Sequence, residues 1–344
     1  MSNTTKPSNN ENMDNERLTS AEMGKLWVIY MGNSMSEIIL KYYLHHVDDQ
    51  DIKAVIQEAH EMSITFQQGI RDIFAKENIP IPSGFNEEDD LNLNAPRLFA
   101  DEFYLYYLRY TAKAGLSIYS TAIPLMTRKD VSEFVINCDK STIALFIKLK
   151  QTMKKKGLLT KPPYIPVPEK NDYVKKQSYL NGFLGEVRTL HALEIAHLHD
   201  NIENNITSKA LLIGFSQVAQ KKEVRDFFQR GRELTMKHIE TCTQQLHKEN
   251  LPSEPLLDDL VETSKIAPYS DRIMLSHKID MFSMKIRTYA NATSLNGRRD
   301  IGAMYAKFII DVGHYVEDAT NIMIKEGWME QPPKAANRSR LASD

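Results

Sequence analysis

Cysteine is nearly missing from this chain. Of 344 residues, 2 are cysteine, Cys138 and Cys242. They stand too far apart for a zinc-ligand motif and read as small buried apolar groups in a reducing compartment. No apolar run approaches the roughly 20 residues of a membrane-spanning helix. The opening "MSNTTKPSNNENMDNER" has no apolar centre of the kind a signal peptide needs. Neither sign of charge dominates: 43 Lys and Arg against 45 Asp and Glu leave a formal −2. A nucleic-acid partner therefore has no electrostatic footprint. Gly-x-Gly-x-x-Gly, the P-loop and Gly-x-Ser-x-Gly do not occur, so dinucleotide, nucleotide and serine-hydrolase chemistry have no motif to rest on. The expectation is a cytoplasmic protein with no membrane span.

What the chain does have is itself, twice. At an offset of 172, Glu22 meets Glu194, Asn33 meets Asn205, Ser36 meets Ser208, and Lys76-Glu77-Asn78 meets Lys248-Glu249-Asn250. After a variable loop the offset becomes 170, where Asp101 meets Asp271, Tyr119 meets Tyr289, and Arg128 and Asp130 meet Arg298 and Asp300. "KGLLTKPP" at 156–163 and "EGWMEQPP" at 326–333 are one repeated helix stop, Gly beyond the last turn and then prolines. A period this long exceeds solenoid repeats, so each copy is expected to be a whole domain.

Within copy one, apolar residues recur at helical spacing in four stretches. One holds Leu26, Tyr30 and Leu40, a second Ile52, Val55, Ile56, Ala59, Phe66, Ile70 and Ile73. The third holds Phe103, Tyr107, Ala114 and Ile118, and the fourth Val131, Cys138, Leu145 and Leu149. Asp130 and Asp300 look like helix N-caps. Roughly 20 residues separate the second and third stretches, room for the long crossover of a ferritin-like bundle. The predicted class is all-α, two tandem ferritin-like four-helix bundles. Expected boundaries are a disordered tail at 1–17, copy one at 18–161, a Pro-rich linker at 162–182, copy two at 183–333 and a tail at 334–344. Each copy is expected to fold on its own.

The stretches "APRLFADEFYLYYL", "KGLLTKPPYIP", "LEIAHLHDNIENN" and "EGWMEQPP" resemble an uncharacterised family from bacillus-type bacteria. Its members are duplicated helical bundles similar to ferritin-like proteins and distantly to a spore coat protein. The resemblance spans residues 18–340 and brings no reaction. It implies a sporulation or coat setting, with self-association or spore and coat proteins as partners.

The two copies differ in the polar residues on their inward stripes. Copy two has His238 where copy one has Phe66, His277 where copy one has Tyr107, and Asp311 and Asp318 where copy one has Ser141 and Lys148. Glu194 and His197 stand at Glu-x-x-His spacing, the pattern of carboxylate-bridged metal bundles, and Asp311 and His314 repeat the interval. The candidate metal ligands are therefore Glu194, His197, His238, His277, Asp311, His314 and Asp318, with iron, manganese or zinc as the metal. A buried polar network that fixes helix register is the competing account of the same residues. His45, His46 and His199 are expected on the surface. Two functions follow: a non-enzymatic structural or assembly protein, spore- or stress-associated, or a metal-binding protein acting as an oxidase or a metal or peroxide sensor.

Overall fold

A computed structural model describes residues 16–342. All but the last two positions of the expected N-terminal tail lie outside the described residues. Copy one contains α1 (Ser20–His46), α2 (Gln50–Lys76), the one-turn α3 (Glu87–Asp90), α4 (Asp101–Ala122) and α5 (Lys129–Lys155). Copy two contains α6 (Ala192–Val218), α7 (Lys222–His247), α8 (Asp271–Ser294) and α9 (Arg299–Lys325), followed by the short α10 (Arg338–Leu341). Among the described residues there is no β-strand. Four long helices in each copy pack side by side and bury the predicted stripes. For example, α2 buries Ile52, Val55, Ile56, Ala59, Phe66, Ile70 and Ile73.

The repeated motifs are repeated helix ends. Gly157 and Gly327 adopt φ of 72° and 69° just beyond α5 and α9. Asn78 and Asn250 adopt φ of 55° and 57° just beyond α2 and α7, which explains the doubled Lys-Glu-Asn. At each of the four ends the next N–H reaches back five residues: Leu158 to Met153, Trp328 to Met323, Ile79 to Phe74 and Leu251 to Leu246. Those bonds satisfy carbonyls that the helix end would otherwise leave open.

Asp130 and Asp300 are not the N-caps expected of them. The caps are Arg128 and Arg298, and each Asp lies inside the first turn, where its carboxylate grips that Arg. Asp130 also accepts the Val131 N–H at 2.8 Å, while the N–H groups of Thr127 and Arg128, and of Gly297 and Arg298, just ahead of the two helices, are taken by a distant acid, described below.

The copies share a core. The larger cluster of buried apolar residues runs from Met35 in α1 to Met323 in α9 and includes Tyr43, Phe99, Tyr107, Phe215, Tyr269 and Tyr289. A smaller cluster of Leu26, Tyr30, Phe66, Phe74, Val131 and Cys138 is confined to copy one. The two long connections, before α4 and before α8, run antiparallel and exchange backbone hydrogen bonds. Asn92 donates to Pro268 at 2.8 Å, and its counterpart Glu262 donates to Leu98 at 2.9 Å. Ala100 donates to Leu260 at 2.9 Å, and its counterpart Ser270 donates to Asp90 at 3.3 Å. The bridge Leu91–Tyr269 is matched in the same way by Phe99–Val261. Each of these backbone contacts occurs twice with the copies exchanged, which is the signature of an isologous two-fold interface.

From Lys156 to His191 the connection between copies contains no long helix, only one 3₁₀ turn at Gln177–Leu180. Large apolar side chains stand open along it: Tyr164 is 82% exposed, Val167 89%, Tyr173 79%, Phe183 68% and Leu184 85%.

Candidate functional site

Glu194 is buried and fully occupied. Its Oε1 accepts from the backbone N–H groups of Gly297 (3.1 Å) and Arg298 (3.0 Å), and its Oε2 from that of His191 (3.0 Å). Arg188 clamps both oxygens at 2.8 Å. In copy one Glu22 does the same for Thr19, Thr127 and Arg128. Burial alone would raise the Glu22 carboxyl, but the N–H bonds of Arg128, Thr19 and Thr127 hold it at about 2. These two acids cap one helix from another, a use of charge at helix N-termini that needs no metal.

The other predicted ligands are scattered. His238 is buried in α7, where its Nδ1 faces the Tyr289 hydroxyl at 3.1 Å and its ring stacks on Phe308 at 3.8 Å. Its Nε2 has no hydrogen bond and lies 4.0 Å from Asp311, the one approach of a carboxylate to an imidazole among these seven residues. His277 sits at the seam, with Nε2 2.7 Å from the hydroxyl of Tyr107, its own counterpart in copy one. Burial pushes both imidazoles down to about 3, so they are neutral at physiological pH. His197 is half-buried, His314 is exposed, and Asp318 pairs with Arg230 at 2.8 Å on the surface.

Two residues missed in the sequence share the copy-two interior with His238. Lys278 donates to Ser208 Oγ at 2.8 Å, and Lys285 donates to Thr235 Oγ1 at 3.1 Å, with its amine 4.0 Å from the centre of the Phe282 ring. Burial drives both amines well below the usual lysine range. Copy one has Leu108 and Gly115 at these places, so comparing the copies would have exposed them.

His199 is a correction. It is 6% exposed rather than a surface group. His199, Glu203 and Glu254 place ligand atoms within 4.8 Å of one another, the one such group of three or more among the described residues. Glu203 is already neutralised from the other copy. Arg109 pairs with it, and Lys113 bonds Glu203 at 2.6 Å, Asp200 at 2.6 Å and Asn204 at 3.2 Å. Burial raises the Glu254 carboxyl and lowers the His199 imidazole, so the pair lies closer to neutral than two free groups would. The arrangement is an ionic lock between α4 and α6.

The pseudo-two-fold predicts a second such seam, between α8 and α1, and there the chemistry is different. The counterparts of Arg109, Tyr110 and Lys113 are Ile279, Asp280 and Ser283, and those of Asp200, Glu203 and Asn204 are Val28, Met31 and Gly32. With short and apolar residues on both faces, the helices leave a groove of about 390 Å³ between α1, α4 and α8.

Fold and seam together define a duplicated all-helical protein whose halves meet as a homodimer would. The chain belongs to a family described as a protein of unknown function, DUF3231, whose model matches it twice, over residues 7–170 and 178–341. None of the curated proteins matches it. Among solved structures it is similar to the "putative spore coat protein" of Bacillus halodurans C-125, with 13% identity and a TM-score of 0.38 over 44% of this chain and 98% of that one. No helix among the described residues is long and apolar enough to cross a membrane.

Proposed function

We propose that this is a non-enzymatic structural protein that assembles with further copies of itself through the linker joining its halves, in the spore or stress setting that the sequence resemblance implies. We read each copy as a ferritin-like bundle, the long connection before α4 or α8 being the crossover. The observation that carries the assembly reading is the linker's exposed apolar series, Tyr164, Val167, Tyr173, Phe183 and Leu184. Soluble monomers rarely display so many large apolar side chains on one segment, and such segments mark protein–protein contact. Burying each would contribute about 1.5–3 kcal/mol, much of it offset by the roughly 4–15 kcal/mol that association costs. The result is reversible association rather than a permanent oligomer.

Sedimentation velocity of the full chain tests this. Mass should rise with concentration, and serine at those five positions should abolish the rise while leaving the helical signal intact. A chain that stays monomeric at every concentration rejects the reading.

Metal binding in copy two has one observation behind it, the convergence of His199, Glu203 and Glu254. Lys113 and Arg109 already supply the positive charge that a cation would bring there. The structural role of the cluster is therefore the better supported one.

A further inference from the structure

Lys278 and Lys285 stand two turns apart on α8, and both are shut off from solvent, at 0% and 1% exposure. Their amines meet only neutral groups. Lys278 donates to Ser208 Oγ at 2.8 Å and to the Ser208 carbonyl at 3.3 Å, with Met281 Sδ also at 3.3 Å. Lys285 donates to Thr235 Oγ1, and the two amines lie 5.2 Å and 4.0 Å from the centre of one ring, Phe282. Among the described residues no carboxylate pairs with either amine. The surrounding elements supply none. On α7, His238 is a neutral base, Lys237 adds a further positive charge, and burial keeps the Cys242 thiol protonated. On α9, Asp311 approaches His238 at 4.0 Å, and Tyr315 is neutral. On α6, Lys209 pairs with Asp258, and Glu203 with Arg109 and Lys113. Tyr107 and Tyr110 on α4, and His277 and Tyr289 on α8, are neutral, while Asp280 and Arg287 stand on the exposed side of α8. An ammonium group held there would have neither water nor a countercharge, so the closed bundle favours free amines.

Copy one has Leu108 and Gly115 at these places. It also keeps a core of its own in Leu26, Tyr30, Phe66, Phe74, Val131 and Cys138. We propose that copy two is a proton-operated half: Lys278 and Lys285 take up protons by leaving the bundle, so acidification opens copy two ahead of copy one and releases the seam. The seam goes with it because α8 carries two of its contacts, His277 to the Tyr107 hydroxyl at 2.7 Å and the Met281 carbonyl to that of Tyr110 at 2.6 Å. The direction follows from the unfolded chain, where a lysine amine titrates near about 10.4. Opened copy two holds both protons below that pH, and closed copy two holds neither until far below it. The stability that the two amines allow is therefore complete above about pH 10 and is lost as pH falls. Each buried free amine makes the opening constant rise about tenfold per unit of falling pH, and the pair about a hundredfold.

The two tryptophans of the chain separate the halves. Trp27 lies in α1, and Trp328 lies just beyond α9 with its ring 5.6 Å from the Lys221 amine. Urea unfolding of the full chain, followed by fluorescence in Trp27→Phe and Trp328→Phe forms, reads each half alone. Measurements at about pH 8 and about pH 7 lie above the free imidazole range, near about 6.5, and below the free thiol, near about 8.5. The opening constant seen by Trp328 should be about a hundredfold larger at the lower pH, and that seen by Trp27 should change by less than about tenfold. Lys278→Met with Lys285→Met keeps the stems, removes the amines and should flatten the Trp328 response. Each single variant should bring it to about tenfold, and Lys307→Met, at an exposed position on α9, should leave it at about a hundredfold. The same pH response at both tryptophans, a Trp328 response below about tenfold, or a full response in the double variant overturns the proposal.

Discussion

Replacing His238 with Phe, the residue copy one uses at that place, should cost little at neutral pH and stabilise the protein in acid. The loss is one hydrogen bond, from a site where the Tyr289 hydroxyl still has the Asn205 side chain at 2.8 Å. Such a bond is worth about 1 kcal/mol net. The gain is removal of Nε2, buried with no hydrogen-bond partner, a group whose desolvation costs roughly 1–3 kcal/mol. The stacking on Phe308 survives, since a phenyl ring replaces an imidazole of similar shape. At about pH 7.5 the two terms nearly cancel, and ΔΔG should lie between about −2 and +1 kcal/mol destabilising. Acid separates them. The folded imidazole titrates near 3 and the unfolded one near 6.5, so its contribution is fully present above 6.5 and lost as pH falls towards 3. Each unit below 6.5 removes up to about 1.4 kcal/mol, or about 2 kcal/mol by pH 5. Urea unfolding followed by far-UV circular dichroism at the two pH values reads both numbers. A variant that loses more than about 3 kcal/mol at neutral pH, or whose advantage does not grow in acid, would refute the account of His238 as a neutral packing residue.

The ionic lock should be sensitive to half-removal: Glu203→Ala leaves Arg109 and Lys113 without their shared partner and should cost about 3–5 kcal/mol in urea unfolding. Elemental analysis of chain purified without a chelating tag should find less than stoichiometric transition metal even after incubation with iron, manganese or zinc, because Glu203 is already paired. One bound equivalent lost in His199→Ala would reverse that assignment. Cutting near residue 175 should give halves that expose the shared core and recombine into a particle of the full chain's size. Two halves that remain separate and native-like in a mixture would show that the seam is not a cohesive interface.

The repeat, the helices and their ends were legible because they are local or periodic. Lys-Glu-Asn at 76–78 and 248–250 and the Gly-then-Pro stops are written in a few consecutive residues, and the chain writes each twice. The caps of α5 and α9 were not, because Glu22 and Glu194 lie more than a hundred residues from the N–H groups they hold. Asp130 had the right residue type in nearly the right place and misled. The inward histidines were found by comparing copies, and His238 and His277 are indeed buried. Their partners could not be read the same way, because the comparison shows what a residue replaced and not what it faces. His199 was assigned to the surface because the side of α6 that carries it would face solvent in a bundle standing alone. It is buried by Glu254 and by the other copy, which a stripe analysis of one bundle does not contain.

The two seams show how the copies diverged. In a homodimer of identical chains every substitution appears on both sides of the axis, so a lock in one seam would have to be a lock in the other. Joining the copies frees each position from its mate. Acids on α6 could then meet bases on α4, while the equivalent faces of α1 and α8 kept Gly32, Val28 and Ser283 and opened a groove. The backbone exchange between the two connections still has its symmetry, because hydrogen bonds of the main chain do not depend on which side chain sits above them. Side chains at the seams have lost it. The locked seam holds the halves together through its ion pairs, while among the described residues no ion pair joins α1 to α8 across the open seam.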